Sequence, residues 1–450
     1  MAKETVEIAR TVPVKPEALW QVLRSFDLSW HPAVAKCQLL RGPCGAVQRH
    51  FSDTDGNEYL EQQIYFSDTD KTLSYVLLSG IEALHSYRAT VSVRAEESGS
   101  RVTWIADIHA ARNRIDAIAK GTLAIFEQAV EALATPRRKP RRPSDKTPTA
   151  VQLQSQLIHT DPDLSVISTA STQTDDMPLV LFLHGIGGQA ANWTEQLAYL
   201  GNHYKVAAID LRGYGNSTLD GNTTIDDYCD DILRVAAHYG VDKLVLVGLS
   251  YGAWIATSFA MRHSDHLLAL VLAGGCTGMS EAEKEERERF LETREAPLAA
   301  GKQPADFADA VVNVISGPNI TTEQRQSLLH SMQSIPAATY RDALQCFCNP
   351  VEIFNFSRIR CPVLLMTGEY DQLAPAHEIR GVSKRMLDAP GAGTNYPDIR
   401  FEVITSAGHV CNVEQTAQVN QLLNNFLERI PNLSYHFKFN ALEKQREKKE

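Results

Sequence analysis

The chain has 450 residues, 44% of them hydrophobic and 22% charged, which is enough apolar material for two cores without help from disulfides or metals. Its net charge of -10 argues against nucleic acid and anionic membranes as partners. No stretch approaches the roughly 18 uncharged apolar residues of a membrane span, and Lys3, Glu4, Glu7 and Arg10 interrupt any leader-like run, so a cytoplasmic location is expected.

Val6–Val12 alternates apolar and polar positions as a half-buried strand does, and Pro16–Phe26 places Leu19, Trp20, Val22, Leu23 and Phe26 on one helical face. Alternating runs follow near 46–52, 58–66, 71–78, 84–94 and 101–110, with turn chemistry at Gly56-Asn57 and Gly99-Ser100. A long helical pattern, Asn113–Ala134, closes this region with Ile115, Ile118, Ala119, Leu123, Phe126, Val130 and Leu133 at helical spacing. An early helix, an antiparallel sheet and a long last helix predict an α+β helix-grip domain over residues 1–135. Trp20, Tyr65, Tyr75 and Tyr87 are candidates to line a cavity there, although such aromatics also simply fill cores. With PEALW (16–20) and Trp30-His31-Pro32, this element order resembles the START-like superfamily of polyketide cyclases, lipid-transfer proteins and hormone receptors. The resemblance implies a hydrophobic ligand held between the sheet and the long helix.

Residues 136–148 read PRRKPRRPSDKTP. Four prolines and five clustered cations build no core, so 136–150 is expected to be a basic, Pro-rich linker; a docking stripe for an acidic surface is the other reading. Beyond it, apolar runs at Leu179–Leu183, Val206–Ile209, Leu244–Val247, Leu267–Leu272 and Val363–Met366 alternate with helical stretches, the rhythm of a mostly parallel α/β sheet over 151–430. Only helical patterns occupy 279–350, which predicts a cap inserted between two strands. Residues 431–450 form a charged tail. The eight cysteines are scattered and are expected to be free thiols, with no metal site and no cofactor.

The chemistry concentrates in a few segments. Gly248-Leu249-Ser250-Tyr251-Gly252 follows an apolar strand and precedes a helix of small residues. A sharp strand-to-helix turn of this kind lifts a serine hydroxyl to the edge of a sheet, making Ser250 the candidate nucleophile; a structural serine in a tight turn is the alternative. A serine needs a base, and His409 in Ser-Ala-Gly-His, after the run Phe401–Ile404, has the right place in chain order. The base needs a carboxylate: Asp371, directly after Val363–Met366, is preferred over Glu369. Oxyanion donors are expected from the amides of Tyr251 and Ile186, the latter in HGIGG (184–188), while His184 is read as bracing that loop. The turn DLRGYGNS (210–217) reads as scaffolding.

These segments, with HGIGGQAANW (184–193), TGEYD (367–371) and AGH (407–409), are similar to those of capped serine α/β-hydrolases, including 3-oxoadipate enol-lactonases and esterases. Dehalogenases and epoxide hydrolases place an aspartate at the elbow, and C–C hydrolases an asparagine before the serine, where this chain has Ser250 and Leu249. Enol-lactonases often carry Met-Gly after the serine and a cap tryptophan; here Tyr251 follows and no Trp lies beyond Trp254. The resemblance implies a hydrolase of a small or hydrophobic ester, lactone or thioester acting through an acyl-enzyme. The alternative is a catalytically silent ligand sensor or carrier on the same fold.

Overall fold

The computed structural model describes residues 1–42, 45–134, 151–169, 177–389, 398–431 and 433. The expected linker at 136–150, Cys44 and nearly all of the tail at 431–450 lie outside these residues. The chain divides into two compact units, Met1–Lys146 with Gly391–Glu402 and Thr147–Pro390 with Val403–Glu450.

The first unit contains β1 (Ala2–Val12), α1 (Pro16–Leu23), β2 (Val34–Arg41), β3 (Val47–Asp53), β4 (Glu58–Ser67), β5 (Thr72–Ser79), β6 (Leu84–Glu96), β7 (Gly99–Ala110) and α2 (Ile115–Leu133). Its strands run in the order β1-β7-β6-β5-β4-β3-β2, with every neighbouring pair antiparallel. On β6 and β7 buried and less buried residues alternate, so one face is apolar. Across that face Ala89 meets Ala106, Val91 meets Trp104 and Val93 meets Val102. The buried stripe of α2, which includes Ile118, Phe126, Val130 and Leu133, covers it, and Phe126 stacks on Trp104 at 5.0 Å.

Two local details differ from the sequence reading. The first helix stops at Leu23, and Phe26 adopts φ +58°, a left-handed conformation that no helix continues through. Its ring still reaches the core, 4.2 Å beneath the guanidinium of Arg49, which is itself buried and paired with Glu61 at 2.5 Å. Strand β2 was not foreseen; it lies at the sheet edge, most of its residues are exposed, and no apolar alternation marks it. Among the cavity candidates, Trp20, Tyr75 and Tyr87 join the core between sheet and helices, whereas Tyr65 does not, because Phe66 takes the inward position on β4.

The second unit runs β8 (Leu153–Ile158), β9 (Leu164–Thr169), β10 (Leu179–Leu183), α3 (Thr194–Leu200), β11 (Lys205–Ile209), α4 (Ile225–His238), β12 (Leu244–Leu249), α5 (Tyr251–Arg262) and β13 (Leu267–Ala273). Four helices follow: α6 (Lys284–Ala299), α7 (Pro304–Ile315), α8 (Thr322–Gln333) and α9 (Ala337–Cys348). The unit closes with β14 (Val363–Gly368), α10 (Ala376–Asp388), the last two residues of β15 (Ile399–Ile404), whose first four belong to the first unit, α11 (Cys411–Glu414) and α12 (Thr416–Leu427). Its strand order is β8-β9-β11-β10-β12-β13-β14. β11, β10, β12, β13 and β14 pair in parallel, and β8 and β9 add an antiparallel edge. β10, β11 and β12 are buried along their whole length, which is why their sequences are continuous apolar runs rather than alternations. β8 and β9 carry polar residues such as Gln154, Ser155 and Gln156, and escaped the reading for that reason.

The four helices between β13 and β14 are tied to the loops of the sheet by side chains. Asn192 donates to the Ser331 hydroxyl at 2.9 Å, Thr339 to the Gly213 carbonyl at 3.0 Å, and the Thr223 amide to Asp342 at 3.1 Å. The loop after β11 is held from below. Arg212, buried to 4% side-chain exposure, makes a two-pronged pair with Asp231 of α4, buried to 2%. Removing one member of such a pair strands a buried charge, which costs about 3–5 kcal/mol. Arg212 keeps a second carboxylate, Asp227 at 3.4 Å, so Asp231→Ala is expected to lower the stability of this unit by less than that, read as a drop in the midpoint of urea unfolding.

Candidate active site

Ser250 stands at the junction of β12 and α5 with φ +56° and ψ -113°. This strained backbone is fixed on three sides: the Ser250 amide donates to the Ala273 carbonyl at 2.8 Å, and the Ser250 carbonyl accepts from Ala253 at 2.9 Å and Trp254 at 3.0 Å. Two glycines make the turn possible. A Cβ on Gly248 would collide with the Gly252 carbonyl, and one on Gly252 with the carbonyls of Leu183 and His184. The serine stays partly exposed while Leu249, Tyr251 and Gly252 around it are buried.

His409 lies in the loop after β15, its amide bonded to the Ile315 carbonyl of α7 at 2.8 Å. Its Nδ1 is 2.9 Å from Asp371 Oδ2. An ionised carboxylate only accepts, so Nδ1 carries the proton and Nε2 is left as the basic nitrogen. Asp371, after β14, is buried; burial pushes its carboxyl up, but the His409 ring and the amides of Ala374 and Leu373, each 2.9 Å from Oδ1, outweigh it and hold the carboxyl below the ordinary carboxylate range. Thr367 adds a hydroxyl donor to Oδ2 at 3.0 Å. Glu369, the rival carboxylate, instead accepts from the Ser406 amide at 2.9 Å. Ser250 and His409 both flank Gly274-Gly275. A Cβ on Gly274 would come within 3.2 Å of the His409 ring, and one on Gly275 within 3.3 Å of the Ser250 carbonyl.

Of the two expected oxyanion donors, Ile186 lies in the loop after β10 and Tyr251 is the first residue of α5. Gly185 brings the first loop so close that a Cβ there would be 3.2 Å from the Ser250 Cβ. Among the described residues neither amide is committed to a turn or loop carbonyl. His184 is buried, with Nδ1 2.8 Å from the Gly185 carbonyl and Nε2 accepting from the Leu211 amide at 3.0 Å. One partner only accepts and the other only donates, so the ring is locked in its neutral Nδ1–H tautomer, and burial lowers its pKa further. The turn at 210–217 is equally bonded: Asp210 accepts from the Ala190 amide at 2.8 Å and the Ser165 hydroxyl at 2.9 Å. Phe347 packs edge-on against Tyr251 at 5.6 Å and Trp254 at 5.5 Å, whereas Phe354 and Phe356 stack on each other and Phe356 lies under Arg385. Among the described residues no group of three or more His, Cys, Asp or Glu is placed to hold a metal ion, and the seven described cysteines are free.

Sequence reading missed two supports. One is the Gly274-Gly275 pair, whose only signal was its place directly after an apolar run. The other is Glu414 of α11, which accepts the Gly408 amide at 2.9 Å and the Gly317 amide at 2.6 Å. It thereby pins the residue before His409 to the segment after α7. Burial pushes the Glu414 carboxyl up, against the pull of those two amides.

Residues 178–415 match the family described as the alpha/beta hydrolase fold, and residues 3–136 match polyketide cyclase/dehydrase and lipid transport. The chain belongs to the α/β-hydrolase fold family and carries a polyketide-cyclase-like domain in front. It is similar to the putative carbamate hydrolase RutD of Escherichia coli O157:H7, 27% identical over 261 residues, which is 56% of this chain and 92% of that protein. The protein of the same description from Enterobacter cloacae is 27% identical over 270 residues, 58% of this chain and 95% of its own length. Among solved structures, a thermophilic esterase from Thermogutta terrifontis aligns with a TM-score of 0.52 and 23% identity, covering 62% of this chain and 99% of that one. At that identity the likeness is one of fold. Among the described residues no helix is long and apolar enough to cross a membrane.

Glu414→Ala is expected to lower kcat by roughly 10²-fold with a smaller change in KM, the effect of a misplaced base rather than lost binding. Glu414→Gln, which keeps one amide acceptor, should restore part of it. Steady-state kinetics of both variants on one ester reads this directly; equal losses in the two would show that Glu414 does not act through those amides.

Proposed function

We propose that this hydrolase cleaves a small or hydrophobic ester, lactone or thioester through an acyl-enzyme formed on Ser250. The observation that carries the reading is the buried Asp371–His409 pair at 2.9 Å, which leaves Nε2 available as the base for the strained, partly exposed Ser250. In this reading Ser250 Oγ attacks the carbonyl carbon as His409 Nε2 takes its proton, and Asp371 stabilises the imidazolium. The negative charge gathering on the carbonyl oxygen is met by the amides of Ile186 and Tyr251, each worth about 3–4 kcal/mol in such sites. His409 returns the proton to the departing alkoxide or thiolate, and water then repeats the sequence on the acyl-enzyme. The helices between β13 and β14 exclude water and shape the acyl pocket. The name of the RutD relatives brings carbamates within the same class, since their carbonyl is attacked in the same way. The front domain, matched to a family of cyclases and lipid transport, is proposed to hold a hydrophobic ligand.

A fluorophosphonate probe should label the full chain and should fail to label Ser250→Ala, whose turnover should fall by on the order of 10⁶ while its thermal unfolding is unchanged. Asp371→Asn should lose roughly 10⁴ in kcat and Glu369→Gln far less, because only the first leaves the imidazole in the wrong tautomer. Wild-type turnover by Ser250→Ala, or the reverse ranking of the two carboxylates, would overturn the assignment.

A further inference from the structure

Asn192, in the short turn Ala190–Trp193 that precedes α3, is bonded in three directions. Its Oδ1 accepts from the Gln189 amide at 2.9 Å, its Nδ2 donates to the Ser331 hydroxyl of α8 at 2.9 Å, and its carbonyl accepts from Nδ2 of Asn412 in α11 at 3.0 Å. A backbone N–H only donates, so the side-chain atom facing Gln189 is the oxygen, and the nitrogen is left to face Ser331. The Ser331 hydroxyl passes its own proton to the Ser327 carbonyl at 3.0 Å, so the bonds run in one direction from the loop into α8. Ser331 and Asn412 are buried and Asn192 is half-buried, a setting in which hydrogen bonds are strengthened by the low local dielectric.

Each partner belongs to a different part of the candidate site. Gln189 directly follows the turn Gly185–Gly188, which the Gly188 amide closes on the Gly185 carbonyl at 2.9 Å, with Ile186 and Gly187 at its tip. Ser331 sits beside Met332 on α8, and a Cβ on Gly187 would be 3.4 Å from the Met332 Sδ. Asn412 stands three residues after His409. Gly185, Gly187 and Gly188 give the turn few side chains of its own and much backbone freedom to lose, so its position has to be set from its two ends. The entry is set by His184, bonded through both ring nitrogens. The exit is set by Asn192, whose Oδ1 lies so close that a Cβ on Gly188 would be 3.1 Å from it.

We propose that Asn192 is a positioning residue for the oxyanion donor. Through the Gln189 amide it fixes the exit of the turn that presents the Ile186 amide, and through Ser331 it ties that exit to α8 of the helical insertion. This rests on the hydrolase reading above, in which the Ile186 amide meets the developing charge, and adds the residue that holds the amide there.

The test uses the full chain, one ester, and a trifluoromethyl ketone and a methyl ketone of matched chain length. Ser250 adds to the carbonyl of the trifluoromethyl ketone and its proton passes to His409, leaving a hemiketal oxyanion that draws on the donors; the methyl ketone, far less electrophilic, reports ordinary binding. Labelling with the fluorophosphonate probe to completion counts the active chains to which kcat refers. Asn192→Ala should lower kcat by roughly 10- to 100-fold with little change in KM, a part of the loss that follows outright removal of a donor. Inhibition by the trifluoromethyl ketone should weaken by the same factor, and inhibition by the methyl ketone hardly at all. Ser331→Ala, which cuts only the link to α8, should show the same pattern at roughly 3- to 10-fold. Asn192→Asp keeps an acceptor for Gln189 and can take the Ser331 proton instead, so it should recover most of the loss. Wild-type kinetics in either alanine variant, a loss of kcat with trifluoromethyl ketone inhibition unchanged, or equal losses in Asn192→Ala and Asn192→Asp overturns the proposal while leaving the hydrolase standing. If Asn192→Ala does not fold, Ser331→Ala decides by the same comparison of ketones. A wild-type chain that neither labels nor turns over any ester overturns both.

Discussion

The turn that carries Ser250 is the constraint around which the second unit is organised. A serine at φ +56° is held against its own preference, at a cost of about 1–3 kcal/mol. The surroundings over-determine it: β13 receives its amide, α5 starts from its carbonyl, and the backbones of β10 and α5 close in where Gly248 and Gly252 leave room. The same turn makes Tyr251 the first residue of a helix, where an amide has no partner four residues back and the helix dipole favours negative charge. The partial exposure of the serine and the start of α5 thus come from one turn.

The rest of the candidate site is assembled from loops at the ends of β10, β13, β14 and β15, which lie on either side of β12 in the sheet. Strand pairing sets the spacing of those loop origins, and the loops are then bonded rather than left loose. Asp371 is held by two amides and a hydroxyl, His184 by both ring nitrogens, and the His409 loop by Glu414. The helical insertion contributes to this bracing through Ile315 and Gly317.

What was legible in the sequence followed from local chemistry. The elbow, the carboxylate after β14 and the histidine after β15 are each marked by a glycine and an apolar run within a few residues. That sufficed to single out Asp371 and His409, which the fold then places 2.9 Å apart. The central strands were legible because burial on both faces forbids polar residues. Edge strands β2 and β8 obey no such rule and were passed over, and β9, although buried, carries Ser165, Ser168 and Thr169 and was passed over with them. Glu414 was illegible for a different reason. A glutamate in a short helix looks like solvated surface until the tertiary fold shows which amides it accepts. Phe26 belongs with it, since its apolar side chain fits a helical stripe and only the backbone angle reveals that the helix has ended.

The free thiols of the second unit have a consequence for its reactivity. Burial pushes Cys229, Cys276 and Cys346 up to about 12 and Cys348 up to about 11, and raises Cys411, two residues after His409, as well. A thiol reacts as its thiolate, and these groups hold almost none near neutral pH. Alkylating agents and mild oxidants therefore find little to attack at these five sulfurs near neutral pH.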